Sequence, residues 1–167
     1  NLSYIQLVIM KKNILLVVAH RDDETIGCGG TIAKLSKSNY KIFGISMTDG
    51  ISSRNKFNST DIKNRHKNSI KAANILGFKW LDKFSGNFQD NKMDNSSILE
   101  VINVIEKAKK FIKPVFVYTH FPDDLNIDHQ IVAKATMTAF RPKSKETCEK
   151  IFAFEVPSST DYANFKK

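Results

Sequence analysis

Cysteine is scarce here: the 167 residues hold only Cys28 and Cys148, with no C-x-x-C spacing. Two such thiols cannot build a disulfide framework, and they suit a reducing, cytoplasmic setting. No apolar run approaches the ~18 residues that a membrane span requires. Asn1 to Ile9 is mildly apolar but has neither a basic start nor a small-residue cleavage site, so it is not read as a signal peptide. Met10-Lys11-Lys12 reads as a natural start, which makes the first nine residues extraneous. Internal repeats and low-complexity tracts are also absent, and the length suits one domain over residues 1–167. Acidic residues are outnumbered, 17 Asp and Glu against 26 Lys and Arg, giving a net charge of +9. That balance permits attraction to nucleic acid or phosphorylated ligands. The lysines, however, are scattered through a chain rich in Lys, Asn and Ile, and no nucleic-acid-binding motif accompanies them. A nucleic-acid partner is therefore not expected.

What the chain does have is a continuous apolar strand, Asn13 to Val18, running straight into His20-Arg21-Asp22-Asp23-Glu24. Similar alternation follows. Glu24 to Ser38 reads as a helix opened by Gly27, Gly29 and Gly30, Tyr40 to Thr48 as a strand, and Asp61 to Leu76 as a helix stopped by Gly77. Phe78 to Phe84 reads as a third strand. A capping-box pattern at Ser97 to Glu100 opens a helix through Ile112, and Pro114 ends it. Val115 to Tyr118 gives a strand, Gln130 to Phe140 a helix and Ile151 to Val156 a last strand. Strands alternating with helices predict a Rossmann-like three-layer α/β/α domain with a mostly parallel sheet. Right-handed crossovers put every strand-end loop on one rim. The chain stops at Lys167 without an obvious closing element and reads as incomplete.

Open α/β sheets bind ligands at that rim. His20, Asp23 and His129 come from two strand ends, and two histidines with one carboxylate form a donor set typical of catalytic zinc. Asp22 has two readings: a helix N-cap, or a general base facing the metal's water. Asp128 likewise caps its helix or orients a ligand, and the two roles are compatible. The Gly27-x-Gly29-Gly30 cluster is not a nucleotide fingerprint, because it starts seven residues past the strand and lacks G-x-G-x-x-G spacing. Ser52 and Ser53 have no partner placed to make a nucleophile. Arg54, solvated if judged alone, could hold a phosphate or sugar hydroxyls from the rim.

The assembled words resemble the PIG-L/LmbE-like family of zinc-dependent sugar N-deacetylases. His20-Arg21-Asp22-Asp23-Glu24 stands for that family's His-Pro-Asp-Asp-Glu, followed by the Gly-rich helix start, Thr48-Asp49-Gly50 and Asp128-His129, across residues 13 to about 158. The resemblance implies that His20, Asp23 and His129 bind zinc, that Asp22 is the base, and that the substrate is an N-acetylated sugar conjugate. Arg54 matches a substrate-contacting arginine more loosely. Phe154 to Thr160 resembles a bacterial subgroup linked to surface-polysaccharide sugars. Homo-oligomers are compatible with all of this.

Two departures stand out. Arg21 replaces a proline and is expected to add positive charge beside the metal. Asn126 stands where a histidine would hold the oxyanion and protonate the leaving amine, and an amide delivers no proton. Either Asp22 acts as base and then acid, or His120 takes the second role at the substrate. A sugar- or nucleotide-binding protein with little hydrolysis is the rival reading.

Overall fold

The computed structural model describes residues 12–162, apart from 54, 55, 57 and 145. Both ends of the chain, with the readings made on them, and Arg54 therefore lie outside the described residues. Five parallel strands form one sheet in the order β3-β2-β1-β4-β5. They are β1 (Lys12–Val18), β2 (Tyr40–Ser46), β3 (Lys79–Trp80), β4 (Phe116–His120) and β5 (Lys150–Phe154). The helices are α1 (Asp23–Ser36), α2 (Ser59–Leu76), α3 (Ile98–Ile112), α4 (Ile127–Ala139) and the four-residue α5 (Pro157–Thr160). Among the described residues no helix is long and apolar enough to cross a membrane.

The strand at the centre explains the layering. Every residue of β1 from Ile14 to Val18 is fully buried, because alternate side chains point to opposite faces and both faces are covered. Leu15 and Val17 join Ile45, Val117 and the apolar stripe Val101, Ile105, Ala108 and Ile112 of α3, with α4 alongside. Ile14, Leu16 and Val18 join Ile32 of α1 and Ala73 of α2 on the other face. Fully burying one such Val, Leu or Ile side chain is worth roughly 1.5–3 kcal/mol, so a polar residue in β1 would destabilise the layer that it faces by at least about that much.

Several boundaries differ from the pattern-based expectation. The third strand shrinks from Phe78–Phe84 to Lys79–Trp80. After Trp80, Leu81 still donates to Gly44 O (2.9 Å), and the chain then lifts off as a 3₁₀ turn over Asp82–Phe84. It returns to the same edge further along, where Gly86 N donates to Ser46 O (2.8 Å) and Phe88 N to Met47 O (3.0 Å). Gly86 is needed there, since a Cβ would lie 2.7 Å from Met47 O. The helices α2 and α4 begin two and three residues earlier than expected because asparagines cap them. Asn58 makes a reciprocal capping box with Asp61, and Asn126 accepts from Asp128 N and His129 N. At α3 Ser97 Oγ accepts from Leu99 N (3.3 Å).

The glycine-rich start of α1 serves packing. A Cβ on Gly27 would sit 2.3 Å from the Phe154 ring and 2.8 Å from Glu155 O. Only glycine lets the end of β5 approach so closely, and α1 is kinked at Cys28 (φ −140°, ψ 19°) just beyond.

Candidate metal centre

β1 lies between β2 and β4, so consecutive strands run outward on one side and the chain returns to β1's other flank on the other. The crevice at this reversal is where open α/β sheets bind ligands. His20 follows β1 by two residues, Asp23 opens α1 and His129 lies in the first turn of α4. The structure brings all three together. His20 Nδ1 is 3.3 Å from both Asp23 Oδ2 and His129 Nε2, and His129 Nε2 is 3.4 Å from Asp23 Oδ1. All three side chains are buried, and their donor atoms lie within 4.8 Å of one another. The backbone N–H of His20 donates to Asp23 Oδ2 (2.8 Å) and fixes that carboxylate.

The far nitrogens of both histidines meet carboxylates. His20 Nε2 is 3.0 Å from Asp90 Oδ1 and 3.2 Å from Asp128 Oδ2, and His129 Nδ1 is 3.3 Å from Asp124 Oδ1. Carboxylates in this place orient an imidazole and raise its basicity as a ligand. Each is itself braced. Asp128 accepts from the backbone N–H groups of Asn91 (2.7 Å) and Met93 (3.1 Å), and Asp90 from Ser53 Oγ (2.6 Å). Asp124 accepts from Thr160 Oγ1 (2.6 Å) and Ser159 Oγ (3.0 Å), which gives the short α5 its purpose.

These contacts shape the charge of the cluster. Burial alone would depress His20, but the Asp128, Asp23 and Asp90 carboxylates outweigh it and push its pKa up to about 11. Burial would raise Asp23, yet the surrounding imidazoles of His120, His129 and His20 hold it well below the usual range. Burial likewise opposes ionisation of Asp90, but His20 and Ser53 bring it down to about 2. A pocket that keeps a proton on a buried imidazole is one that favours a cation, and a metal ion must displace that proton to bind there.

Other site residues fall in places that the linear sequence does not disclose. Asp22 occupies the N-cap position of α1, but its side chain makes no capping bond. It stays about half exposed at the cavity mouth, with Oδ1 2.9 Å from Arg65 Nη2. Asp128 does not cap α4, a task that falls to Asn126, and it orients His20 rather than its neighbour His129. Asn126 spends Oδ1 on the cap, while Nδ2 donates to Asn91 Oδ1 (3.1 Å) at the same cavity. His120, expected at the substrate, has no exposed surface. Its ring stacks on His129 (3.9 Å between centroids), and its Nε2 accepts from Ala19 N (2.9 Å), behind the donor set. Burial lowers its pKa, so it stays neutral. Arg21, expected beside the metal, turns away: it lies over the Trp80 ring (4.7 Å), pairs with Asp82 and donates to Ser46 Oγ (3.0 Å).

Three participants carry no local signature in the sequence: Asp90 precedes the 3₁₀ turn over Met93–Asn95, Asp124 lies in the loop before His129, and Arg65 in the body of α2. Gly50 (φ 66°) explains the Thr48-Asp49-Gly50 word. A Cβ there would lie 2.9 Å from Arg65 Nε and Nη2, so glycine leaves room for the arginine that meets Asp22. The cavity over the donors encloses about 320 Å³ between His20, Asp23, His129, Asp22, Asn126 and Arg65.

Fold and cluster define an α/β domain with a buried His-Asp-His donor set in an open crevice. Comparison with known proteins makes the class specific: the chain belongs to the GlcNAc-PI de-N-acetylase (PIG-L) family, whose family model matches residues 15–140. It is similar to an uncharacterised deacetylase, YaiS, of Escherichia coli strain K12, 33% identical over 155 residues, which cover 89% of this chain and 76% of that one. Among solved structures, the conserved protein TT1542 of Thermus thermophilus shares the fold, with a TM-score of 0.70 at 22% identity over 86% of this chain and 66% of its own. The N,N'-diacetylchitobiose deacetylase of Pyrococcus horikoshii aligns with a TM-score of 0.66 and 25% identity over 81% of this chain and 52% of its own. The chain thus spans about half to two thirds of those two proteins. Family membership makes it a chain of the deacetylase type, in a family of hydrolases acting on amides.

Proposed function

We propose that this protein removes the N-acetyl group from an N-acetylglucosamine-type sugar conjugate, using zinc held by His20, Asp23 and His129. The observation that carries the proposal is the convergence of these three donors, with carboxylates behind both histidines, on a cavity whose mouth holds an uncapped Asp22. Two imidazoles and one carboxylate suit zinc and leave a coordination position open. Bound there, zinc supplies Lewis acidity that lowers the pKa of water toward 7 and polarises an amide carbonyl.

The chain's own groups do the rest. Asp22 Oδ takes the proton from the attacking water, as a general base aimed by its ion pair with Arg65. Asn126 has its Oδ1 committed to the helix cap, so its Nδ2 faces the cavity and donates to the oxygen of the collapsing amide. An amide has no proton to give away, which leaves the protonated Asp22 to pass its proton to the departing nitrogen. Arg54 contacts the sugar in this proposal, and the setting is cytoplasmic surface-polysaccharide sugar biosynthesis. The rival reading, a sugar-binding protein with little hydrolysis, draws its support from the missing proton donor at Asn126.

The test is amine and acetate release from a panel of N-acetylglucosamine conjugates, with and without a chelator. Chelator-sensitive release that falls at least ~100-fold in Asp22→Asn supports the reading. Saturable sugar binding without any release favours the binding role instead.

A further inference from the structure

The amide of Asn126 is held at both ends. Its Oδ1 accepts from the backbone N–H groups of Asp128 (2.9 Å) and His129 (3.4 Å). Backbone donors require an oxygen there, so the other amide atom is the NH2 group. One hydrogen of that group goes to Asn91 Oδ1 (3.1 Å), and Asn91 and Asn126 both line the cavity over the donors. The same logic orients Asn91. With its Oδ1 accepting, its Nδ2 reaches Ser53 Oγ and Asp90 Oδ1, each at 3.3 Å. Asp90 in turn lies against His20 Nε2 (3.0 Å). A line of polar contacts therefore runs from His20 through Asp90 and Asn91 to Asn126.

The backbone shows that a side chain is put to use at position 91. Lys92 N donates to Gln89 O (3.2 Å), closing a turn in which Asn91 has φ 53°. Glycine takes such a conformation at least cost, and asparagine is tolerated. The backbone's own contact there, the N–H donated to Asp128 Oδ2 (2.7 Å), needs no side chain either. What glycine cannot supply is the amide that stands between Asp90 and Asn126. Its worth follows from the last torsion of an asparagine side chain, which is broad. The helix cap pins Asn126 Oδ1 as a point and leaves the NH2 group free to swing, whereas a second contact at Asn91 fixes the plane of the amide. A donor fixed in place before charge develops stabilises that charge most.

We infer that Asn91 is a positioning residue: it holds the Asn126 amide so that the second N–H of its NH2 group points into the cavity, where the oxygen of the substrate amide becomes negatively charged. This rests on the deacetylase reading for the charge that the N–H meets. The orientation of the amide does not depend on that reading.

The test uses the full chain with Asn91→Gly, which relieves the positive φ and keeps the N–H that Asp128 accepts. Asn126→Ser serves beside it, because serine still caps a helix but has no NH2 group. In the metal-free chain, NMR relaxation of the Asn126 side-chain nitrogen is expected to report a rigid group in the wild type and a mobile one in Asn91→Gly. The melting temperature is expected to hold or rise. With zinc bound, kcat for the conjugate that the wild type deacetylates fastest is expected to fall about tenfold in Asn91→Gly, the worth of one hydrogen bond, with KM within about twofold and zinc content unchanged. In the Asn126→Ser background the same substitution is expected to cost nothing further. An Asn126 side chain equally rigid in Asn91→Gly overturns the inference, as does an equal loss of kcat with and without the Asn126 amide. Loss of zinc from Asn91→Gly overturns it in favour of a role through Asp90 and His20. If the wild type releases no amine but its Asn126 amide loosens in Asn91→Gly, the deacetylase reading fails and the orienting contact stands.

Discussion

The wall of the crevice that carries His20 and the cleft that carries Asn64 lie side by side and are built on opposite terms. Around His20 each charge is buried and matched: Asp90 and Asp128 on one nitrogen, Asp23 and His129 on the other. Along the cleft between α1 and α2, Asn64 and Asn68 are exposed, and their amides have no side-chain hydrogen bond among the described residues. Buried charges without partners are costly, so the wall tolerates little change, and its geometry is held to within a hydrogen-bond length. The cleft has no such constraint. The contrast leaves the wall rigid and the cleft free to vary in sequence.

The comparison breaks most sharply at the donors. Replacing His20 or His129 by alanine should abolish metal binding and amine release together, and it removes one of the imidazoles that surround Asp23, as metal analysis and activity assays would register. Asp22→Asn should cost at least ~100-fold in turnover while the metal stays bound. Retained turnover in that variant would move the base elsewhere. One step back from the donors the effect should shrink. Asp124→Asn or Asp128→Asn should weaken metal affinity roughly 10- to 100-fold, measurable by competition with a chromogenic chelator. Asp128→Asn should also cost stability, because its amide keeps a single oxygen and one of the N–H groups of Asn91 and Met93 loses its acceptor.

Glu24 sharpens the comparison from within the wall. It is buried, only one of its oxygens has a partner, and burial pushes its pKa up from 4.5 to about 7. The folded state therefore favours the protonated acid. The stability this confers is complete below pH 4.5 and is lost as pH rises through about 7. The difference is roughly 3 kcal/mol across that window. Glu24→Gln keeps the shape and should flatten the slope in denaturation series from pH 4 to 8, whereas an unchanged slope would assign it to other groups. Smallest of all should be Arg21→Ala. Its guanidinium sits on Trp80 and Asp82, away from the donors, so a loss of about 1 kcal/mol or less is expected with metal affinity unchanged.

The architecture was readable because β1 is apolar at every position, which only a strand covered on both faces requires. The weak edge strand was not. Phe78 to Phe84 has the composition of a strand, but two pairing residues precede a 3₁₀ turn whose departure depends on where Gly86 rejoins β2. The clustering of His20, Asp23 and His129 was readable because both segments that carry them follow strand ends, which a parallel sheet gathers on one rim. Asp90, Asp124 and Arg65 were not, since each acts on a residue remote in the chain and carries no local signature. His120 misled for the opposite reason. A histidine ending a strand suggests the rim, but its ring turns toward β1 and lies under His129, where only tertiary packing could put it.

The most direct test of the metal centre is equilibrium dialysis of the purified chain against zinc, followed by elemental analysis, with His129→Ala beside the wild type. The account predicts about one zinc per wild-type chain, as a single three-residue donor set would hold, and none retained by the variant. A wild-type chain that holds no zinc, or a variant that holds as much, would contradict it.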